Sequence, residues 1–225
     1  MQYYPLFIDL TSANCLIVGA GNVGRRKLYS LIKAHTKHIL IVDPLPPGQE
    51  LKALLKEKTV CYKQRTFITE DILEKTLVFA ATNDKKLNQS IATYCNLKGI
   101  LCNIADAPSK GTFIVPSIVE KNGISIAIST NGNSPALSKK LRKDITEWLG
   151  DRYTPIVTLL SRLRPLVLKT SNITLDNTTL FNNILDSALS DAIQQKNRLQ
   201  CEEILKNTLP NHLQIHIMEL LHELV

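Results

Sequence analysis

Short, nearly continuous apolar runs punctuate the first half of the chain, at residues 15–18, 39–42, 76–81 and 100–104. Runs of this length, bounded by turn residues, predict strands buried on both faces. Between them lie helical patterns, one after the glycine-rich turn that follows Val18 and one over residues 87–97. Strands alternating with helices predict a parallel, doubly wound α/β sheet. After Pro116 the pattern changes. Gly123 introduces an alternating segment, residues 124–128, that reads as an isolated strand, and a polar turn follows at 131–133. Ser134 and Pro135 then stand as N-cap and first residue of a helix. Its apolar positions are Leu137, Leu141, Ile145 and Trp148, and Gly150 ends it. Further on, Leu180, Phe181, Ile184, Leu185, Ala188, Leu189, Ala192 and Ile193 trace one helical stripe, with more helix after Asn197 and Pro210. The expected division is a Rossmann-type domain (1–112), a small α+β segment (113–150) and a C-terminal helical domain (151–225).

The first turn carries chemistry. Gly19-Ala20-Gly21-Asn22-Val23-Gly24 follows a strand and opens a helix, the context in which G-x-G-x-x-G signals a dinucleotide site. Gly19 permits the tight turn, Gly21 lets backbone approach a pyrophosphate, and Gly24 allows helix and sheet to pack closely. Asn22 and Val23 begin the helix whose amide groups and dipole favour an anion. Asp43 ends the second strand, where a carboxylate accepts ribose hydroxyls and repels a 2′-phosphate; no basic residue follows closely, so NAD is expected over NADP. The competing reading is a tight turn with a surface aspartate. Arg25, Arg26 and Lys27 occupy the early helix, an unfavourable place for cations unless something compensates them. They either reach an anionic ligand or form a solvated face.

Composition narrows the classes. Hydrophobic residues make up 44% and charged residues 21%, which predicts a packed core rather than disorder. The net charge of +7 suits nucleic acid, an anionic membrane surface or a small polyanion. Aromatics at 5%, with neither a stacking motif nor zinc-finger spacing, argue against nucleic acid. The amino terminus lacks a basic leader, Asp9 interrupts its apolar stretch, and no apolar run approaches membrane-spanning length, so neither export nor a membrane partner is expected. Five cysteines without a C-x-x-C pair suggest reduced thiols and a cytoplasmic protein. His212 and His216 are four residues apart, but no glutamate follows His212 as in H-E-x-x-H, and no metal site is expected.

Further motifs stand in order over residues 1–150: Pro5-Leu6-Phe7-Ile8, the glycine turn with Arg26-Lys27, Ala80-Ala81-Thr82-Asn83-Asp84 with Leu87-Asn88, Cys102-Asn103-Ile104-Ala105-Asp106-Ala107-Pro108, Phe113-Ile114-Val115-Pro116, and Ile128-Ser129-Thr130-Asn131-Gly132-Asn133-Ser134-Pro135. Together they resemble the precorrin-2 dehydrogenase/sirohydrochlorin ferrochelatase family, which includes the N-terminal part of bifunctional siroheme synthases. The resemblance implies NAD-linked oxidation of a reduced tetrapyrrole, precorrin-2, to sirohydrochlorin, in some members insertion of ferrous iron as a second reaction, and a homodimer formed through residues 113–150. It departs at Gly24, where the family often has alanine, and at Thr130, where a serine is common; the hydroxyl is retained. The helical tail matches only loosely.

Asp106 matches the family's key aspartate. At the carboxyl end of a strand it can accept the proton lost after hydride abstraction; the alternative is a turn-capping residue ahead of Pro108. Thr82, Asn83 and Asn103 can bond the nicotinamide side of NAD or simply shape loops. A polycarboxylated substrate calls for cations and amides, which Lys139, Lys140, Arg142 and Lys143 and the N-terminus capped by Ser134, with Thr130 ahead of it, would supply; a solvated helix face is the alternative. Two other functions fit the glycine turn: an NAD-sensing regulatory module, resembling potassium-uptake control domains, and a dehydrogenase of another carboxylated substrate.

Overall fold

The computed structural model describes residues 3–170 and 174–225. The chain divides into two compact units, Met1–Val115 and Pro116–Val225. In the first, five parallel strands, β1 (Asn14–Val18), β2 (His38–Asp43), β3 (Val60–Gln64), β4 (Leu77–Ala80) and β5 (Leu101–Ile104), lie in the order β3-β2-β1-β4-β5. Side chains alternate across the sheet. Ile17, Ile39, Ile41 and Phe79 therefore pack with Leu28 and Leu31 of α1 (Asn22–Lys33) on one face. Leu16, Val18, Val78 and Ala80 pack with Ile91 and Cys95 of α3 (Lys85–Leu97) on the other. Burial of β1 and β4 on both faces explains why their sequences are continuous apolar runs.

Register sets the site. Val18 lies opposite Val42 and Ala80, and Ala80 opposite Ile104, so the strands end along one edge. The ladder runs one residue further: Gly19 donates to the Val42 carbonyl, Ala81 to Val18 and Ala105 to Ala80. Strand order reverses between β1 and β4, the switch point at which such sheets open a crevice. At the outer edge, Thr112 donates through its N–H to the Cys102 carbonyl and accepts from the Cys102 N–H, covering β5. Phe113 stays with this unit, edge-to-face on Phe79 at 5.5 Å. Two elements here have no counterpart in the sequence pattern. β3 is an edge strand with no buried residue, and α2 (Gln49–Leu54) buries only Leu51.

The second unit begins with an antiparallel hairpin, β6 (Ser117–Lys121) and β7 (Ile124–Ile128). The expectation of an isolated strand at 124–128 is thus corrected. Asn122 and Gly123 both have positive φ, +46° and +84°, as a two-residue hairpin turn requires, and they pair the strand with the segment just before it. In α4 (Pro135–Leu149) Ser134 accepts the Leu137 N–H through its hydroxyl, and Gly150 ends the helix at φ +44°. Helices α5 (Thr154–Thr170), α6 (Thr174–Asp186), α7 (Leu189–Gln194), α8 (Arg198–Thr208), α9 (Asn211–Gln214) and α10 (Ile217–Leu220) enclose a core around Leu159, Leu163, Ile184, Leu189, Cys201 and Leu205. The single stripe expected across residues 180–193 is two helices. Ser187 breaks it, its hydroxyl donating to the Ile184 carbonyl and accepting the Leu189 N–H, which competes with continuation of the helix. Among the described residues no helix is long and apolar enough to cross a membrane.

The loop after β3 is held by a buried carboxylate. Asp71 accepts both terminal nitrogens of Arg65, at 2.6 and 2.8 Å, and the Ile68 N–H at 3.1 Å. Burial pushes the Asp71 carboxyl up, but the Arg65 fork and the Ile68 amide outweigh it and hold it below its ordinary value. A group lowered on folding stabilises above its unfolded pKa, and that contribution is lost as pH falls through the folded one. The urea midpoint should therefore fall between about pH 5 and pH 2, and Asp71→Asn should flatten that slope while costing about 1–3 kcal/mol at neutral pH. Equal acid slopes in the two proteins would remove Asp71 from the account.

Candidate functional site

At the edge where the strands end, the glycine turn is packed from within and open above. A Cβ at Gly19, whose φ is +97°, would meet the Ala81 carbonyl at 2.6 Å, and one at Gly24 would meet the Gly19 carbonyl at 1.9 Å. A Cβ at Gly21 would meet nothing within 4 Å. Gly21 is also the N-cap of α1, so no side chain caps this helix, and its first turn holds no acid. The amides of Asn22, Val23 and Gly24 thus begin a helix under open space, the arrangement a pyrophosphate requires.

Asp43 braces this turn. Its half-buried carboxylate accepts the Ala20 N–H at 2.6 Å on one oxygen and the Leu45 N–H at 2.8 Å on the other. Each oxygen keeps lone-pair capacity for a ribose hydroxyl. Tyr62 donates to the Leu45 carbonyl, and burial together with the Asp43 charge pushes its hydroxyl pKa up. The three early cations of α1 prove unequal. Arg25 bonds the Asn22 amide oxygen and pairs with Glu50 of α2 at 3.1 Å, which supplies part of the expected compensation. Lys27 is half-buried with its ammonium 5.6 Å from the centre of the Phe79 ring, and burial, then the Arg26 charge, lowers its pKa. Arg26 is exposed and pairs with no acid among the described residues.

Across the switch point, Asp84 caps α3 by accepting the Lys86 and Leu87 amides. Asn88 is buried one turn on. Its carbonyl oxygen accepts the Thr82 N–H at 3.2 Å and the Thr82 hydroxyl at 2.7 Å. Its amide nitrogen donates to the Thr82 carbonyl at 2.9 Å and to Asp106 Oδ1 at 3.0 Å. Asn83 is exposed; Asn103 is buried and donates to the Phe113 carbonyl at 3.0 Å, which ties β5 to the covering segment. Asp106 is exposed just beyond β5. The three strand spacings from β2 to β5 separate Asp43 from Asp106 by about 14 Å.

In the second unit Thr130 accepts the Ser134 N–H at 3.1 Å, and its hydroxyl lies 3.1 Å from that of Ser138, so both Thr130 and Ser134 build the entry to α4. Lys140 and Lys143 pair with Asp144 and Glu147 one turn on. Lys139 and Arg142 are exposed and have no acid partner among the described residues. His212 belongs to α9 and His216 lies between α9 and α10, 3.3 Å from Glu219, so the pair does not share one helix face. No three metal-ligating side chains converge among the described residues.

Apolar pattern and motifs alone assign no role to Glu50, Tyr62 or Asn88 of these networks. Asn88 left a signal. On α3 the buried positions are Asn88, Ile91, Ala92 and Cys95, an amide on an otherwise apolar helix face.

Comparison with known proteins shows what the chain is similar to. Residues 6–117 match the family model of NAD(P)-binding domains, and residues 121–147 match that of the sirohaem biosynthesis protein central region. The siroheme synthase of Buchnera aphidicola subsp. Acyrthosiphon pisum is 32% identical over 96% of this chain, which spans 45% of that protein. That of Pseudoalteromonas atlantica is 31% identical over 93% of this chain and 45% of its own length. This chain thus spans under half the length of these curated relatives. A solved structure of the precorrin-2 dehydrogenase SirC shares the fold, with a TM-score of 0.73, 23% identity and coverage of 92% of this chain and 98% of its own.

The open space over Gly21 gives a prediction. Gly21→Val should leave thermal melting within about 2 °C of the parent yet weaken NAD binding at least tenfold, because the side chain takes the pyrophosphate's place. Gly24→Ala, which must displace a carbonyl, should lower the melting temperature instead. Retained NAD affinity in Gly21→Val would move the dinucleotide elsewhere.

Proposed function

We propose that this chain, which belongs to the siroheme synthase family, oxidises precorrin-2 to sirohydrochlorin with NAD as hydride acceptor. The observation that carries the reading is the register of the sheet, which puts Asp106 on the same edge as the glycine turn and Asp43. The glycine turn and the N-terminus of α1 would hold the pyrophosphate, with Gly19, Gly21, Asn22, Val23 and Gly24 in contact, and Asp43 the adenosine ribose. Thr82, Asn83 and Asn103 would flank the nicotinamide. NAD, when bound, supplies the hydride acceptor. The substrate then gives up a hydride and a proton, and Asp106 receives the proton, so precorrin-2 and NAD⁺ become sirohydrochlorin, NADH and a proton. Ferrous iron is a second candidate substrate, since metal insertion releases pyrrole N–H protons that the same carboxylate can take.

A polycarboxylated substrate would account for the +7 charge. Lys139 and Arg142, exposed on α4 with no acid partner among the described residues, and the helix entry built by Thr130 and Ser134 would bind carboxylates; in the first unit Arg26 and Lys27 would do so. The protein would work in the cytoplasm as a homodimer joined through residues 113–150, where Ile118, Leu137 and Trp148 leave apolar surface exposed.

Two experiments test this reading. Asp106→Ala should lower anaerobic precorrin-2 oxidation about a hundredfold or more while NAD affinity stays within about twofold; full turnover would return Asp106 to a turn-capping role. Light scattering at low micromolar concentration should give twice the 25.2 kDa chain mass, and a single-chain mass would remove the dimer.

A further inference from the structure

We infer that Asn88 is a positioning residue for Asp106: from the core of the Rossmann unit its amide nitrogen holds one carboxylate oxygen and leaves the other to the substrate. This rests on the proposed role of Asp106 and goes beyond it, because Asn88 touches neither cofactor nor substrate in that scheme.

Burial makes the choice of side chain informative. Asn88 is 1% exposed and shares its helix face with Ile91, Ala92 and Cys95, where an apolar residue would satisfy the packing. A primary amide is stable there only when its donors and acceptor are matched. They are matched by four bonds of 2.7–3.2 Å. Three of these close on Thr82, within the turn that follows β4. The fourth leaves the turn and reaches Asp106, eighteen residues away in sequence, just beyond β5.

Both ends of that fourth bond are fixed. The Asn88 N–H donates to the Asp84 carbonyl, in the first turn of a helix capped by Asp84, and the Ala105 N–H donates to the Ala80 carbonyl, pinning the residue before Asp106. Asp106 itself is exposed, and among the described residues its carboxylate accepts no other hydrogen bond. A solvent-facing carboxylate without a partner samples several rotamers; the Asn88 donor selects one and leaves Oδ2 without a hydrogen bond. An amide suits the task because it donates a hydrogen bond to a carboxylate without carrying a proton that competes with the one to be accepted. The same side chain holds Thr82, so the nicotinamide-side turn and the proton acceptor share one anchor.

The test is a double-mutant cycle with a pH profile, run on the full chain with precorrin-2 and NAD, turnover being counted per NAD-binding site. Asn88→Ala should lower kcat at least about tenfold in the parent but cost nothing further in the Asp106→Ala background, because its effect passes through Asp106. Asn88→Asp, which sets a second carboxyl against the first, should move the acid limb of the kcat profile up by about one pH unit or more. A residue that only closes the Thr82 turn would lower kcat equally in both backgrounds and leave the acid limb in place, and that result overturns the inference. If Asn88→Asp does not bind NAD, the cycle with Asn88→Ala decides alone: loss confined to the parent background supports the inference, equal loss or none overturns it. Full activity of Asp106→Ala by itself would instead remove the proposed role of Asp106 on which this inference stands.

Discussion

The carbonyl of Gly19 lies 1.9 Å from where a side chain at residue 24 would begin, and the rest of the first unit is arranged around that contact. Gly24 is what lets α1 start immediately after β1 and lie close on the sheet. Its uncapped amides then stand at the edge where β1, β4 and β5 end. The same closeness constrains Gly19, which has backbone of the β4 turn within 3 Å of its missing Cβ. One crowded turn thus fixes both where an anion can sit and how near the neighbouring strand-end loop must come.

Charge is organised about this turn. Asp43 is bonded to the turn through Ala20 and to its own loop through Leu45, so its position does not depend on a ligand's arrival. Under the proposed function such preorganisation would cost little on binding, and the carboxylate would accept ribose hydroxyls and repel a further phosphate. On the other side of the switch point the charge of Asp106 is held by a neutral amide rather than a cation. The Asn88 amide donates to one of its oxygens at 3.0 Å. In the first unit Arg25 pairs with Glu50 and Lys27 lies over Phe79; in the second, Lys139 and Arg142 are exposed on α4.

Much of this was legible before any coordinates. Strands buried on both faces write themselves as apolar runs, so β1, β2, β4 and β5 and the helices between them followed from the pattern, as did the caps of α4 at Ser134 and Gly150. β3 did not, because an edge strand with no buried residue carries no such run. β6 is hidden because its pairing is set by the two-residue turn Asn122-Gly123 rather than by an apolar run. The break at Ser187 was illegible since Ala188 and Leu189 continue the apolar period across it. At the site, Asp43 is marked by its place at the end of β2, whereas Asp106 is singled out by the family resemblance, its position alone fitting a turn-capping residue better. What Asn88 and Asn103 do depends on which backbone each one meets, and those bonds span from 6 to 18 residues.

In the proposed reaction a macrocycle at Asp106 gives a hydride to a dinucleotide over the glycine turn. The most direct measurement is anaerobic, with the intact chain and precorrin-2, following NADH formation and the tetrapyrrole spectrum together as NAD and then NADP is supplied. One NADH should form for each sirohydrochlorin, with NAD strongly preferred over NADP. Tight NAD binding with no turnover of precorrin-2 would contradict it and favour a sensing role for the same fold.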